Sequence, residues 1–514
     1  MSSADGERKV AVVAIDAGTT GVRTLVFDSR GMVVTSAYRE LTQYYPQPGW
    51  VEHDASEIWD LAEATLVGAT TEARDRDYDI RALGITNQRE TAVAWDRDTG
   101  APLHRAIVWQ DRRTAARCDR LRDEGRLPVV RERTGLVLDP YFSATKWAWM
   151  LEEGRVSAAR LALSTVDAWL IWNLAGGAAG GGTFVTDVTN ASRTLCLDIR
   201  DRAWSGELCE IFGVPMDSLP EVKASSGRLG VVSHAVAGGA LAGIPISGVA
   251  GDQQAALFGQ CCFAPGETKV TYGTGTFVLA NIGPAIPPPV EGLLTTVAWE
   301  LGAGGGPSRS GCTYALEGAI FSSGAAIHWL RDGLGVIGQS SEIGPLAASV
   351  PSNDGCYLVP AFTGLGSPWW DAYARGTVIG LTRGVGRAHL ARAVVEAIAY
   401  QTRDVVDAMG TEAGRPVTTL YADGGASVMD MLLQLQADQL RVPVIRRKGT
   451  EVTALGAALL AGLAEGVWAD LAEIAELATN DAVFTPVATK AKTDADYRGW
   501  LRALERSRSW STGD

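Results

Sequence analysis

Two distant stretches of the chain share one pattern, in which a turn of glycine and threonine separates two apolar strands. The first is VVAIDAGTTGVRTLVFD at 12–28, and the second is TKVTYGTGTFVLANIG at 268–283. A third glycine-rich turn follows the apolar run in VTTLYADGGAS. We name residues 16–21, 273–276 and 423–426 the first, second and third turns. The repetition predicts two related α/β domains.

The composition of the three turns suits phosphate binding. Glycine lets backbone N–H groups come close to phosphate oxygens, and threonine hydroxyls add donors. One such turn would be weak evidence, because these residues are also ordinary in hairpin turns. Neither the Walker pattern G-x-x-x-x-G-K-[ST] nor the dinucleotide pattern G-x-G-x-x-G is present. Three turns in this order therefore favour a phosphate cradle of another kind.

The elements around the turns are short strands and amphipathic helices. Asp54 is predicted to cap a helix whose apolar face carries Ile58, Leu61 and Leu66, and IRALGIT predicts a strand after it. Further along, LLTTVAWELG and GCTYALEG flank AGGGPSR and predict a hairpin, while GAAIHWLRDGL and MDMLLQLQADQL predict helices.

The length of the chain, 514 residues, exceeds what one compact core holds. We expect a first domain at 1–257 and a second domain at 258–514. The hinge between them is predicted in FGQCCFAPGE. A cleft between two such domains is a natural ligand site.

Composition excludes several classes of function. The formal net charge of −13 opposes nonspecific binding to nucleic acid or anionic membranes, which need a basic face. The N-terminal MSSADGERKV lacks the apolar core of a signal peptide. The apolar stretch LALSTVDAWLIWNLAGG contains Asp167 and Asn173 and predicts a buried helix, not a membrane span. Because no cysteine or histidine spacing suits zinc, we expect a cytoplasmic protein with reduced cysteines.

The stretches near the turns carry a more specific resemblance. The order of the three turns looks like the actin-like ATPase superfold, and the polar stretches resemble the glycerol kinase branch of the FGGY family of carbohydrate kinases. The resemblance covers nearly the whole chain. The matching stretches are DAGTTGVR at 16–23, YPQPGWVEHD at 45–54, GITNQRET at 84–91, IVWQDRRT at 107–114, TGLVLDPYFSATK at 134–146, TDVTNASRT at 186–194, GDQQAALFGQ at 251–260, TYGTGTF at 271–277, PAFTGLGSPWWD at 360–371 and EVTALGAA at 451–458.

This resemblance implies a fold, an activity and cofactors. The fold is α/β, with two actin-like ATPase (ribonuclease H-like) domains and a catalytic cleft between them. The activity is ATP-dependent phosphorylation of glycerol to sn-glycerol 3-phosphate, the first step of glycerol catabolism, with ATP and Mg²⁺ as cofactors. Asp252 matches the base of in-line phosphoryl transfer, and Asp16 matches the catalytic residue that holds Mg²⁺. The alternative role of Asp252 is to cap the helix predicted after it.

The resemblance also implies a polyol site. Arg89 and Glu90 put a donor fork beside an acceptor, which suits adjacent hydroxyls, although such a pair is otherwise usually solvated. Trp109 and Phe277 match apolar walls, although Trp109 could also be ordinary core. The residues at substrate-binding positions are Arg89, Glu90, Trp109, Tyr141, Asp252, Gln253 and Phe277.

Ten residues match nucleotide-binding positions, and two of them depart from the family pattern. His328 stands where glycerol kinases often carry Gln, and Met429 stands where Asn usually follows DGGA. Both departures predict looser purine recognition. The ten residues are Thr19, Thr20, Gly21, Val22, Arg23, Thr274, Gly324, His328, Gly425 and Met429.

Regulation by two known routes is expected to be absent. Some bacterial glycerol kinases carry, just before IPISG, an arginine of the loop through which fructose 1,6-bisphosphate inhibits them. Here Gly243 holds that position. Other family members carry a phosphorylatable histidine earlier in the loop, where this chain has Gly238. Residues 234–243 contain no Lys or Arg, so a bisphosphate lacks the fixed cations it needs.

Two other functions stay open at this stage. One is a kinase of another polyol or a ketose on the same frame. The other is a non-catalytic actin-like protein, which would be expected to lack Asp252 or the Arg89–Glu90 pair. The expected partners are glycerol and ATP, with no nucleic acid and no membrane insertion, and the expected assembly is a homo-oligomer, either a dimer or a tetramer.

Overall fold

The computed structural model describes residues 9–302, 311–411, 414–449 and 451–511. The strands are β1 (Lys9–Ala17), β2 (Gly21–Asp28), β3 (Val33–Glu40), β4 (Glu52–His53), β5 (Tyr78–Asn87), β6 (Val93–Asp96), β7 (Ala106–Ile107), β8 (Leu161–Ser164), β9 (Val185–Asp187), β10 (Leu197–Asp198), β11 (Ala203–Trp204), β12 (Glu221–Lys223), β13 (Ser226–Val231), β14 (Pro245–Gly251), β15 (Glu267–Tyr272), β16 (Thr276–Gly283), β17 (Leu294–Leu301), β18 (Gly311–Ile320), β19 (Tyr357–Val359), β20 (Thr377–Ile379), β21 (Thr419–Asp423), β22 (Val444–Arg447) and β23 (Asn480–Phe484). The α-helices are α1 (Ala55–Asp75), α2 (Ala115–Asp123), α3 (Leu127–Thr134), α4 (Ser143–Glu152), α5 (Val166–Leu174), α6 (Gly177–Gly180), α7 (Val188–Ala191), α8 (Gly206–Phe212), α9 (Asp252–Gly259), α10 (Gly324–His328), α11 (Ile343–Ala348), α12 (Arg387–Thr411), α13 (Asp430–Leu440), α14 (Val452–Ala464), α15 (Leu471–Leu477) and α16 (Lys490–Ser507).

Thirteen strands form one mixed sheet whose order repeats between its two halves. One half has the order β14-β5-β1-β2-β3, where β2 is antiparallel to β1 and β3, and β5 is parallel to β1 and β14. The other half has the order β22-β21-β15-β16-β18, with the same pattern of directions. The topology confirms the two related α/β units that the repeated turns predicted.

The two halves of the sheet share very little strand pairing and are connected mainly by the packing of helix α14. Strands β13 and β17 pair only Ser226 with Leu301. Helix α14 lies late in the chain but packs on β5 and β14 of the first half. Its Leu459 shares one apolar cluster with Phe27 of β2 and Leu279 of β16. The core is therefore continuous between the halves at this point.

Helices α9 and α14 approach to backbone contact. A Cβ added at Gly456 would lie 1.8 Å from the Ala255 carbonyl oxygen, and one at Gly259 would lie 2.0 Å from the Val452 carbonyl oxygen. Only glycine permits so close an approach, because any side chain would collide with backbone. This contact fixes the position of α9 against α14. Because α9 begins with Asp252 and Gln253, the contact also positions two residues of the predicted site.

Several local predictions are confirmed. Helix α1 follows Asp54, whose carboxylate accepts a hydrogen bond from the backbone N–H of Ser56 (2.8 Å). Ile58 and Leu66 are buried, and Leu61 is half-buried. Strands β17 and β18 pair antiparallel as a hairpin, while its predicted tip, AGGGPSR, lies outside the described residues.

Two predicted helices differ from the structure. The stretch predicted as one buried helix divides into β8 and α5, because the buried Asp167 carboxylate accepts hydrogen bonds from Thr165 (2.5 Å) and Thr186 (2.6 Å) at the junction. The stretch GAAIHWLRDGL forms the short α10, and its helical path continues with wider hydrogen-bond spacing over Trp329–Gly333. No helix within the described ranges is long and apolar enough to cross a membrane.

Candidate active site

A small cleft lies where the ends of several elements meet, with about 230 Å³ of empty space that includes open solvent at its mouth. Two lining residues follow β5, two begin α9, and one lies on β16 in the other half of the sheet. The remaining two lie just after β7 and just before α4. The lining residues are Arg89, Glu90, Trp109, Tyr141, Asp252, Gln253 and Phe277. The structure thus brings together all seven residues assigned to substrate binding, and their role there stays a prediction.

Beneath the cleft, two arginines and two glutamates form a buried cluster. Arg89 donates to both carboxylate oxygens of Glu317, at 2.6 and 3.0 Å. Arg193 donates to Glu317 at 3.1 Å and to Glu90 at 2.7 Å. All four side chains are at most 2% exposed. We name Arg89, Arg193, Glu90 and Glu317 the buried charge cluster. Its formal charges cancel, which makes burial of so many ions tolerable.

The pKa shifts in the cluster follow from burial and pairing. Burial alone would raise the pKa of Glu317, but Arg193 and Arg89 outweigh it and hold the pKa at about 2. Burial raises the pKa of Glu90, while Arg89 and Arg193 act against the rise. Glu90 also has a left-handed backbone, with φ of 59°. Such a conformation is uncommon for a residue with a side chain and often marks a functional position.

Asp252 is placed between the cluster and the cleft. It is the first residue of α9 rather than its cap, because Gly251 holds the cap position. Its Oδ1 lies 3.1 Å from Arg89 Nε and accepts a hydrogen bond from the Gln253 backbone N–H (2.7 Å). The side chain is 34% exposed. Oδ1 is therefore fixed by two donors, while Oδ2 has no hydrogen-bond partner among the residues that the structure describes.

Two aromatic residues connect the cleft to the first turn. Tyr141 accepts a hydrogen bond from Arg89 at 3.3 Å, and its ring meets that of Trp109 edge-on at 5.7 Å. Trp109 in turn donates its indole N–H to the Thr19 hydroxyl (3.0 Å). Trp109 is therefore a wall of the cleft with a polar anchor, not a plain core residue.

The first turn is supported from behind by a neutral polar network. Gln88 donates to the Gly18 carbonyl (3.2 Å), and Gln43 donates to the Thr19 carbonyl (2.7 Å). The imidazole of His53 lies between the two amides, 2.9 Å from Gln43 Oε1 and 3.2 Å from Gln88 Nε2. Burial lowers the pKa of His53 to about 4, so the ring is neutral near pH 7.

Asp16 and Arg23 are cross-strand partners at the base of the first turn. Burial raises the pKa of Asp16 to about 7, with a further rise from Asp252 that Arg23 opposes. Arg23 is paired with Glu451, just before α14, at 2.5 Å. The side chain of Val22 is buried in the core, so only its backbone could reach a ligand.

Asp16 offers a carboxylate to a divalent cation at the base of the first turn. Within the described ranges, no group of three His, Cys, Asp or Glu side chains could hold a metal ion by itself. Mg²⁺ is usually held by one or two carboxylates together with water and substrate phosphates. Asp16 and Asp252 supply oxygen donors and mutual repulsion that a cation would relieve. They fit a Mg²⁺ ion that arrives with a nucleotide.

The second turn is held by backbone contacts with the first two residues of α10. The backbone N–H of Gly324 donates to the Gly273 carbonyl (3.0 Å), and that of Ala325 donates to the Thr274 carbonyl (3.0 Å). A Cβ at Gly324 would lie 2.5 Å from the Gly273 carbonyl oxygen. Thr274 and Gly324 are thus adjacent, and their role in nucleotide binding stays a prediction.

The third turn rests on the end of β15. Gly424 has φ of 87°, and a Cβ there would lie 2.5 Å from the Tyr272 carbonyl oxygen. Gly425 has open space around its Cα. Met429 is half-buried beside Gly344, and His328 is exposed at the end of α10. The structure joins the second and third turns at the end of β15.

Four residues of the site were not assigned from the sequence. Arg193 and His53 lie in stretches that carried the resemblance, but without roles of their own. Glu317 is a charged residue inside an apolar strand, which is a signal, because a buried charge needs a partner. Lys269 lies in the polar stretch ETKVTY and carries no such signal. The partners of Glu317, Arg89 and Arg193, are distant in sequence, and Lys269 contacts Gln253 16 residues earlier, so both contacts became visible only in the structure.

Comparison with known proteins identifies the relatives of this chain. Residues 11–259 match the N-terminal domain of the FGGY family of carbohydrate kinases, and residues 268–465 match the C-terminal domain. The glycerol kinase of Dechloromonas aromatica (strain RCB) is 50% identical, and the match covers 97% of this chain and 98% of that protein. Glycerol kinase 2 of Pseudomonas aeruginosa is 49% identical, with 99% of both chains covered.

Solved structures share the fold along nearly the whole chain. Plasmodium falciparum glycerol kinase with ADP superposes with a TM-score of 0.91 at 33% identity, over 97% of this chain and 98% of that one. A xylulose kinase from Rhodospirillum rubrum gives a TM-score of 0.85 at 25% identity, over 96% and 98%. The fold alone therefore does not separate a triol substrate from a ketose.

Proposed function

Because the chain belongs to the FGGY family of carbohydrate kinases, we propose that it transfers the γ-phosphoryl group of ATP to glycerol, giving sn-glycerol 3-phosphate and ADP. The observation that carries this proposal is the small cleft lined by Arg89, Glu90, Asp252 and the other four predicted substrate residues. The curated relatives named glycerol kinase, at about 50% identity over nearly the full length, support the same substrate.

Asp252 is proposed as the base that accepts the proton of the attacking hydroxyl. Arg89 and the Gln253 backbone hold Oδ1, which leaves Oδ2 for the hydroxyl. A carboxylate fixed within hydrogen-bond reach can take the proton as the new oxygen–phosphorus bond forms. The γ-phosphoryl group would move in line from ATP to the hydroxyl oxygen, as its bond to the β–γ bridging oxygen breaks and ADP leaves.

The other cleft residues are proposed to select and orient the triol. Glu90 accepts and Arg89 donates hydrogen bonds to adjacent hydroxyls, while Trp109 and Phe277 cover the carbon chain. Because these polar groups are buried or half-buried, a substrate that leaves them unpaired is strongly disfavoured. This arrangement favours a small polyol over a larger ketose.

The three turns are proposed to bind the nucleotide, with Thr20 and Arg23 on one side of its phosphates and Thr274 on the other. Asp16 would hold Mg²⁺, which neutralises phosphate charge when it is bound. Arg23 must then exchange at least part of its contact with Glu451 for the phosphates. A cytoplasmic location and a dimeric or tetrameric assembly stay predictions of the family resemblance.

The division into domains 1–257 and 258–514 and their closure on substrate are part of the proposal. Phe277 and the second and third turns belong to one half, and most cleft residues belong to the other. Closure would exclude water and limit idle ATP hydrolysis. Small-angle X-ray scattering with glycerol and a non-hydrolysable ATP analogue should give a smaller radius of gyration, and an unchanged radius would contradict closure.

A coupled assay of ADP release with glycerol, xylulose, gluconate and other polyols tests the substrate. Glycerol is expected to give the highest kcat/KM, and a ketose with the highest value would overturn the assignment. The variant Asp252→Asn keeps the shape of the side chain and loses the proton acceptor. Its kcat is expected to fall by about 10²-fold or more, with a smaller change in glycerol KM.

Asp430→Asn is the matched control for that variant. Asp430 is also the first residue of a helix, but it is exposed and forms an ion pair with Arg446. Neither Asp430 nor Arg446 lines the cleft. Its kcat is expected to stay near the wild-type value. Near-normal turnover of Asp252→Asn would exclude Asp252 as the base.

A further inference from the structure

A fully buried lysine lies directly behind the cleft. Lys269, on β15, donates from Nζ to the side-chain oxygen of Gln253 (2.5 Å) and to the Thr271 hydroxyl (2.7 Å). Thr271 donates to Asp423 Oδ1 (2.5 Å), whose Oδ2 accepts from Gln260 (2.8 Å). Burial lowers the pKa of Lys269, and Asp423 and Asp252 oppose that shift. Asp423 is thus the nearby anion that offsets the buried ammonium.

The contact with Lys269 decides which end of the Gln253 amide points away from it. An ammonium group only donates hydrogen bonds, so the amide oxygen must face Lys269. The amide nitrogen of Gln253 finds no acceptor among the residues that the structure describes, and Gln253 lines the cleft. The N–H₂ group is therefore left as a free donor at the cleft wall.

We propose that Lys269 is a positioning residue that locks Gln253 as a hydrogen-bond donor to a substrate hydroxyl. The inference rests on the proposed function. A hydroxyl that gives its proton to Asp252 can only accept further hydrogen bonds, and Gln253 is the neighbour of Asp252 on α9. Without Lys269 the amide could turn over and present its oxygen, which would repel the same hydroxyl oxygen. Lys269 thus acts on substrate through Gln253 without touching it.

A double-mutant cycle of Lys269→Met and Gln253→Leu tests this coupling. Each single variant is expected to raise glycerol KM about 10-fold, with ATP KM and kcat changed less than about 3-fold. The double variant is expected to match Gln253→Leu within about 2-fold in glycerol KM, because in this proposal Lys269 acts on that constant through the Gln253 amide. Multiplied effects in the double variant, or an unchanged glycerol KM in Lys269→Met, would overturn the proposal.

Two further variants separate positioning from general loss of structure. Gln260→Leu breaks the same network at the other oxygen of Asp423, away from Gln253, and is expected to leave glycerol KM within about 2-fold. A rise equal to that of Lys269→Met would indicate a merely structural network and overturn the proposal.

If Lys269→Met does not fold, Lys269→Arg keeps the charge and the donors. It is expected to raise glycerol KM by a smaller factor, and that rise must vanish in the Gln253→Leu background. A rise that persists there would overturn the inference. A wild-type protein without activity on glycerol would instead overturn the proposed function, so the two failures are distinguishable.

Discussion

The cleft and the three turns differ in how their residues are held. Around the cleft, Arg89 and Glu90 are fixed by the other two members of the buried charge cluster, Glu317 on β18 and Arg193 just after α7. The first turn is supported by the neutral network around His53, and the second turn by backbone hydrogen bonds. Side-chain identity is therefore critical at the cleft and less so at the turns. Both departures from the family pattern, His328 and Met429, fall beside the turns.

Breaking the buried charge cluster should have the largest effect. Glu317→Gln removes one of two negative charges and leaves an unbalanced buried arginine. We expect a loss of about 3 kcal/mol in the free energy of unfolding, because breaking a buried ion pair strands its partner. Glycerol KM should rise about 10-fold or more, since Arg89 loses its bidentate support. Urea denaturation and steady-state kinetics measure the two effects.

The control for Glu317→Gln is Glu72→Gln, which removes an ion pair between two half-exposed side chains, Glu72 and Arg76. Its stability should change by less than about 0.5 kcal/mol. The folded pKa of Glu317 is about 2 and its ordinary value is 4.5. The contribution of ionised Glu317 to the free energy of unfolding is therefore full above about pH 4.5, and it is lost as the pH falls toward 2. Equal effects of the two variants at pH 7 would refute the role of the cluster.

The neutral network behind the first turn should fail in acid. The pKa of His53 is about 4 in the folded chain and 6.5 ordinarily, so the unfolded chain takes up a proton first as pH falls. The contribution of His53 to the free energy of unfolding is therefore full above pH 6.5. By pH 4 the free energy of unfolding should drop by roughly 3 kcal/mol from this group alone. In His53→Gln this part of the pH dependence should disappear. The exposed His234, replaced in His234→Gln, is the control and should leave the pH dependence unchanged.

At the third turn a side-chain change should have a modest effect on nucleotide choice. Met429 donates no hydrogen bond to a purine, whereas asparagine does. We expect Met429→Asn to lower the GTP-to-ATP ratio of kcat/KM a few-fold. The neighbouring Val428 is exposed, and Val428→Asn should leave the ratio unchanged. An unchanged ratio in Met429→Asn would remove the link between this position and purine recognition.

The smallest expected effect concerns fructose 1,6-bisphosphate. The loop at 234–243 has no Lys or Arg, and the Ala237 backbone N–H donates instead to the carboxylate of Glu63 (2.9 Å). On this loop a bisphosphate would meet the negative charge of Glu63 and no Lys or Arg of the loop itself. Activity at saturating glycerol should not change at millimolar bisphosphate with excess Mg²⁺. Dose-dependent inhibition under these conditions would contradict this expectation.

The first residues of α9 illustrate both the reach and the limit of sequence reasoning. The stretch GDQQ, with its family resemblance, was enough to predict that Asp252 and Gln253 lie at the substrate site. The same stretch could not indicate that Gly251 rather than Asp252 caps the helix, because that depends on backbone angles at one residue. It also could not indicate that Lys269 holds the Gln253 amide, because that contact needs β15 to lie against α9.

By itself the sequence determined the repeated strand–turn units, the seven residues that line the cleft and the three turns. These depend on local patterns and on motifs, which are written in consecutive residues. Only the tertiary structure decided how Arg193 and Glu317 complete the buried charge cluster and how α14 packs across both halves of the sheet. The physical reason is that a buried charge or a glycine contact is defined by its partner, and these partners are far away along the chain.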